Sequence, residues 1–156
     1  MMGRLWNTGR HQFSARDVRT GQLSAVATVG CLVPLLDPWL SPQVRQHIID
    51  LAWSPDFLGG CEYPLPSTAV TSPAFDRQRY WRGPAWINTN WLVWLAACQA
   101  GAPRLATRIA ESSVALVSSS GFREYFDPLS GDGLGAESFS WSAALTLDLL
   151  HYLHSG

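Results

Sequence analysis

Glu124 sits between Phe122 and the pair Tyr125-Phe126. A carboxylate walled by aromatic rings suits sugar chemistry. The rings stack on the apolar faces of a pyranose, and the carboxylate activates a water or stabilises a cationic transition state. The same residues also fit a surface glutamate that pairs with Arg123 or closes a turn. Downstream lie Asp127-Pro-Leu-Ser-Gly131, a loop with Gly131, Gly133 and Gly135, and then Glu137 and Trp141. Glu137 precedes an expected helix N-terminus, where a carboxylate serves the cap and the dipole; supporting the loop before it is the alternative. Trp141 falls in the first turn of that helix and can face either a cleft or the core.

A second constellation is Tyr80-Trp-Arg-Gly-Pro-Ala-Trp86. It supplies aromatic platforms (Tyr80, Trp81, Trp86) and a guanidinium, Arg82. An arginine is costly to bury unless it is paired or bonded to a ligand. The alternative use of Arg82 is to tie the preceding loop to Asp76 or to a helix C-terminus. Gly83 permits a tight turn, and Pro84 suits the first position of a helix. Asn88 and Asn90 follow within an apolar run, so at least one should bond a loop or a substrate.

Other chemistries lack support. His11, His47, His151 and His154 form no metal-ligand spacing with Asp, Glu or Cys, and neither Gly-x-Ser-x-Gly nor a phosphate-cradling glycine loop occurs. No metal and no cofactor is implied. The formal net charge is −1, which offers nothing to nucleic acid or an anionic membrane. Cys31, Cys61 and Cys98 are odd in number and widely spaced, which fits reduced, mostly buried thiols. The longest apolar stretches, 25–36 and 91–98, fall short of the ~20 residues a membrane span needs. With no signal-peptide pattern after Met1, the expectation is a soluble, cytoplasmic protein.

The elements that must carry these residues are helical. Charged residues make up 15% of the chain and eight residues are Trp, which points to extensive burial, a sugar-lined cleft, or both. Three segments are apolar nearly all round: Ala25–Leu36, interrupted by Gly30 and Pro34, then Ala85–Ala100 and Phe139–Leu153. Helices apolar on every side are buried on every side. Two segments are amphipathic. Pro42–Trp53 starts with Ser41 as N-cap and Pro42 at N1; Arg104–Ser118 starts near Pro103 and stops before Gly121. The alternation of buried and amphipathic helices is what an inner and an outer ring would write into a sequence. A compact five-helix bundle is the other solution. Two long connections, 55–80 and 122–138, are too aromatic for disorder. Asp17-Val-Arg-Thr-Gly21 echoes Asp127-Pro-Leu-Ser-Gly131; both read as an Asx-type turn closed by Gly.

As an ordered set, Tyr80-Trp-Arg-Gly-Pro-Ala-Trp-Ile-Asn88, Glu124-Tyr-Phe-Asp-Pro128, Gly135-Ala-Glu137 and Phe139-Ser-Trp-Ser-Ala-Ala144 resemble the C-terminal part of glycoside hydrolase family 63. The nearest group is that of the bacterial mannosylglycerate or glucosylglycerate hydrolases. Asp17–Gly21 and Pro73-Ala-Phe-Asp76 look similar to that group as well, so the resemblance covers the chain from about Leu5. It implies an all-α fold, part of an (α/α)6 toroid, with residues 1–156 forming the C-terminal segment of one domain. It implies inverting hydrolysis of an α-glycosidic bond in a small glycoside by an Asp acid and a Glu base. Glu124, four residues before Pro128, takes the place of the base. Tyr80, Trp81, Arg82, Trp86, Tyr125 and Trp141 become candidates for substrate binding.

The pattern also departs from the family. Its acid lies in a motif resembling Gly-x-Asp-Asn-Ser-Pro, which is absent here. None of Asp17, Asp37, Asp50, Asp56, Asp76, Asp127, Asp132 and Asp148 has that context. Five helices are fewer than half of twelve. The expectation is a segment that supplies the base and is inactive alone, with the N-terminal half of the same enzyme as its partner. A non-catalytic sugar-binding remnant and a helical interaction module are the alternatives.

Overall fold

The computed structural model describes residues 2–155. A short helix α1 (Met2–Leu5) leads into a hairpin, β1 (Trp6–Asn7) and β2 (Gln12–Phe13). Helix α2 (Pro42–Trp53) begins as its sequence demands: Ser41 Oγ accepts the Val44 N–H at 3.3 Å, and Pro42 occupies the first turn. It buries Val44, Ile48 and Ala52. Helix α3 (Ile87–Gln99) is followed by α4 (Pro103–Ser120), which stops at Gly121 with φ +76°. A second hairpin, β3 (Tyr125–Phe126) and β4 (Gly133–Leu134), precedes α5 (Ser140–Ser155).

Segment 25–36 is not the continuous helix that its apolar character predicts. It forms two short 3-10 pieces, Val29–Cys31 and Val33–Leu36. Pro34 has no N–H to give an α-helical ladder. Upstream, Thr28 is drawn into a β-bridge with Thr68, and the Val29 N–H bonds Ser67 O at 3.1 Å. Helix α3 also starts later than Pro84 suggests. Ala85 exchanges both backbone bonds with Phe126 (2.8 and 2.9 Å), and Trp86 is the extended N-cap. The sequence therefore uses the Pro84-Ala85 step to fasten one loop to the other before the helix begins.

α3 packs against the 33–36 segment, α4 and α5, and α4 packs against both α3 and α5. The three apolar segments are thus spatial neighbours in chain order, and the amphipathic α4 packs against two of them. Two expectations of complete burial fail: on α3 and α5, Leu92 is exposed and Leu147 is 67% exposed. The cysteines are free, but Cys98 is exposed rather than buried. Burial pushes the Cys61 thiol up to about 11, with Arg108 partly offsetting it. No helix among the described residues is long and apolar enough to cross a membrane.

The echo between residues 17–21 and 127–131 is structural. Asp17 Oδ1 accepts the N–H groups of Arg19 and Thr20, and the Gly21 N–H closes on Asp17 O at 2.8 Å. Asp127 Oδ1 accepts those of Leu129 and Ser130, and the Gly131 N–H closes on Asp127 O at 2.9 Å. Both glycines are left-handed, with φ +71° and +80°. Each turn precedes one of the inner segments.

Candidate active site around Glu124

The β3–β4 hairpin presents Glu124. Its N–H bonds Ala136 O at 2.9 Å, which ties it to the returning arm of the loop. Oε2 accepts the Ala136 N–H at 3.2 Å, and Oε1 accepts the Tyr80 hydroxyl at 3.1 Å. Arg123 is not its partner. That guanidinium pairs with Glu137 and also reaches Gly135 O at 3.3 Å. Glu137 therefore braces the loop through Arg123, the alternative of its two expected roles, instead of capping α5.

Gly135 makes this arrangement possible. A Cβ there would lie 2.6 Å from Tyr125 Cε1 and 2.7 Å from Glu124 Oε2, and the residue has φ +69°. Gly135→Ala is expected to cost about 1–2 kcal/mol for the left-handed backbone alone, and to push the carboxylate off its donors. Thermal unfolding followed by circular dichroism checks this; an unchanged melting curve would contradict it.

Six aromatic rings form a cluster that meets the carboxylate through Tyr80 Oη. Trp86 is fully buried, with Trp81 stacked against it (4.0 Å, 7°) and Tyr125 stacked as well (4.9 Å, 26°). Tyr80 meets Trp81, Trp86 and Tyr125 edge-on. Trp141 meets Trp86 edge-on at 6.1 Å and Phe139 at 4.9 Å. The Trp86 indole N–H donates to Tyr80 O at 3.1 Å, holding a residue whose φ is +35°. Trp86 therefore has no free face for a sugar and serves as the support. Tyr80 (48% exposed), Trp81 (45%) and Trp141 (37%) keep accessible surface.

Arg82 is exposed and donates through Nε to Ala74 O at 3.3 Å. Its backbone carbonyl, not its guanidinium, is what bonds Asp76, through the Asp76 N–H at 2.8 Å. Asn90 fulfils the expected loop tie. Buried in α3, it accepts from Leu65 N–H at 2.9 Å and donates to Leu65 O at 2.9 Å and Trp86 O at 3.0 Å. Residue-by-residue reading misses Ser67 and Thr68, whose hydroxyls bond Gly83 N–H and Trp81 O, and Arg77, which contacts Asp127. Only the Pro/Gly-rich character of 55–80 signals that this loop has work to do.

The hydrogen bond to Glu124 raises the Tyr80 phenol above its ordinary value; desolvation, the Glu124 charge and Tyr125 add to the shift. A raised folded value means that this bond supports the fold below the unfolded pKa, and that the support is lost as pH rises through the folded one. Glu124 thus has two donors and aromatic neighbours, and it lies only partly buried. Such a carboxylate can hold and deprotonate a water.

Comparison with known proteins places the chain. The family described as "Mannosylglycerate hydrolase MGH1-like glycoside hydrolase domain" matches residues 1–142. The chain belongs to this family. It is 42% identical over 144 residues to a mannosylglycerate hydrolase of Thermus thermophilus, an alignment covering 92% of this chain and 34% of that one. The crystal structure of a GH63 mannosylglycerate hydrolase from a second strain of Thermus thermophilus, in complex with Tris and D-glycerate, superposes with a TM-score of 0.85 at 39% identity, covering 94% of this chain and 35% of that one. Neutral trehalase Nth1 from Saccharomyces cerevisiae shares the fold at TM-score 0.76 and 18% identity, covering 97% of this chain and 28% of that one. The helical array is therefore part of the (α/α)6 toroid of these enzymes. The chain spans about a third of the length of the family relatives it matches.

Proposed function

We propose that this chain is the base-bearing, C-terminal segment of an inverting α-glycoside hydrolase acting on a small glycoside of the mannosylglycerate or glucosylglycerate type. Glu124 deprotonates the attacking water, and Tyr80 Oη and the Ala136 N–H hold its carboxylate in place. Tyr80, Trp81 and Trp141 offer the sugar its apolar surfaces, Arg82 and Tyr125 border them, and Trp86 supports the group. The observation that carries this reading is the position of Glu124: one carboxylate, bonded by two donors, against the aromatic cluster. The Thermus relative bound to D-glycerate supports a small acidic aglycone.

The general acid comes from chain outside this sequence. Inversion needs a second carboxyl about 6.5–9.5 Å from the base, to leave room for the water. One carboxylate cannot protonate the leaving group and activate water on the opposite face of the ring. The exposed Leu92 and Leu147, on helices apolar all round, are surfaces that the rest of the barrel would cover. Joining the chain to the N-terminal two thirds of the Thermus relative is expected to give hydrolysis of mannosylglycerate, with the released mannose first appearing in the inverted, β form by NMR. The chain alone is expected to give none. Turnover by the chain alone, or a folded fusion without activity, would overturn the assignment; saturable sugar binding without turnover would instead favour a sugar-binding remnant.

A further inference from the structure

The two Asx-turn hairpins provide an internal control. In the first, Asp17 completes its turn while standing at the surface, with no ion pair among the described residues. In the second, Asp127 makes the same turn through Oδ1, yet it is fully buried and its Oδ2 lies 3.3 Å from Arg77 Nε. The turn itself therefore needs neither burial nor an arginine on its carboxylate; in the first turn Arg16 Nη1 donates instead to the closing Gly21 O at 2.8 Å. Oδ2 has no hydrogen bond among the described residues; Arg77 meets it as a charge. A carboxylate buried at this depth needs such a counter-charge.

Arg77 belongs to a turn closed on itself: the Asp76 N–H bonds Arg82 O, and the Arg79 N–H bonds Asp76 O. That turn carries Tyr80 three residues later, in a left-handed conformation which a non-glycine residue keeps only if its surroundings enforce it. From this turn, side chains reach the Glu124 hairpin at two points, Arg77 to Asp127 and Tyr80 to Glu124.

We propose that the Arg77–Asp127 ion pair is a positioning device: it clamps the 76–82 turn onto the β3–β4 hairpin so that Tyr80 Oη meets Glu124 Oε1. Its relevance to catalysis rests on the reading of Glu124 as the base, but the clamp itself does not. Neither residue touches substrate; both act through Tyr80.

The test uses the chain as it is. Tyrosine ionisation is followed by ultraviolet difference titration in wild type, Tyr80→Phe, Arg77→Gln, Arg77→Lys and Asp127→Asn, and the transition missing from Tyr80→Phe is assigned to Tyr80. In Arg77→Gln and Asp127→Asn that transition is expected to fall back towards the ordinary tyrosine value of 10.0, and in Arg77→Lys to stay raised. A raised transition in folded Arg77→Gln would overturn the proposal. Should Arg77→Gln lose its circular dichroism, Asp127→Asn decides, since the amide keeps the turn's acceptor and removes only the charge. Hydrolysis is read separately in the fused enzyme, so a failed clamp and a failed assignment of the base give different results.

Discussion

Glu124→Gln in the completed barrel is expected to lower kcat by about 10²–10⁴-fold with little change in KM. The substitution is nearly isosteric, and both existing partners accept an amide. The carbonyl oxygen can take the Ala136 N–H, and the amide nitrogen can donate to Tyr80 Oη, because a phenol both donates and accepts. Ground-state geometry is therefore retained while the capacity to take a proton is lost. The loss should fall on the step in which water attacks, which makes it a kcat effect. Steady-state kinetics with the pH profile is the check: the acid limb of kcat/KM set by the base should vanish in the variant. Unchanged kcat would remove Glu124 from the chemistry and leave Tyr80 and Ala136 as partners of a structural carboxylate.

Trp86→Ala should be the most damaging single change to stability, at about 3–5 kcal/mol. Trp86 is fully buried, touches four other rings and uses its indole N–H to hold Tyr80 O. Truncation opens a cavity between Trp81 and Tyr125 and removes the bond that stabilises the left-handed Tyr80. Trp86→Phe keeps much of the stacking and loses only the donor, so about 1 kcal/mol is expected. Urea unfolding of the two variants separates packing from hydrogen bonding. A cost below about 1 kcal/mol for Trp86→Ala would mean that the cluster is not held from its centre.

Amphipathic helices are the most legible part of the chain. α2 and α4 appear within one or two residues of their sequence signals, because Ser41-Pro42, Pro103 and Gly121 act through local backbone chemistry that needs no distant partner. The Asx turns are legible for the same reason. Segment 25–36 misleads because its apolar run records burial, and burial is shared by helices and by irregular segments pinned between them. The late start of α3 has a tertiary cause: Ala85 is taken by Phe126, 41 positions away in the chain.

The site divides along the same line. Residue types at Glu124 and at Tyr80–Trp86 announce a carboxylate and aromatic platforms, since those side chains have few other uses in combination. Which ring shows a face, and which is spent inside, comes only from packing: Trp81 and Trp86 are equally aromatic in sequence, but one is 45% exposed and the other fully buried. Likewise Arg123 is the neighbour in sequence, whereas Tyr80 is the neighbour in space: Arg123 is engaged by Glu137, and a distant loop brings Tyr80 to the carboxylate. From sequence alone come the chemistry available and the local turns that display it. The folded chain alone settles which donors reach the carboxylate, since that depends on two long loops being fastened together at Ala85–Phe126 and Arg77–Asp127, contacts that no local spacing encodes.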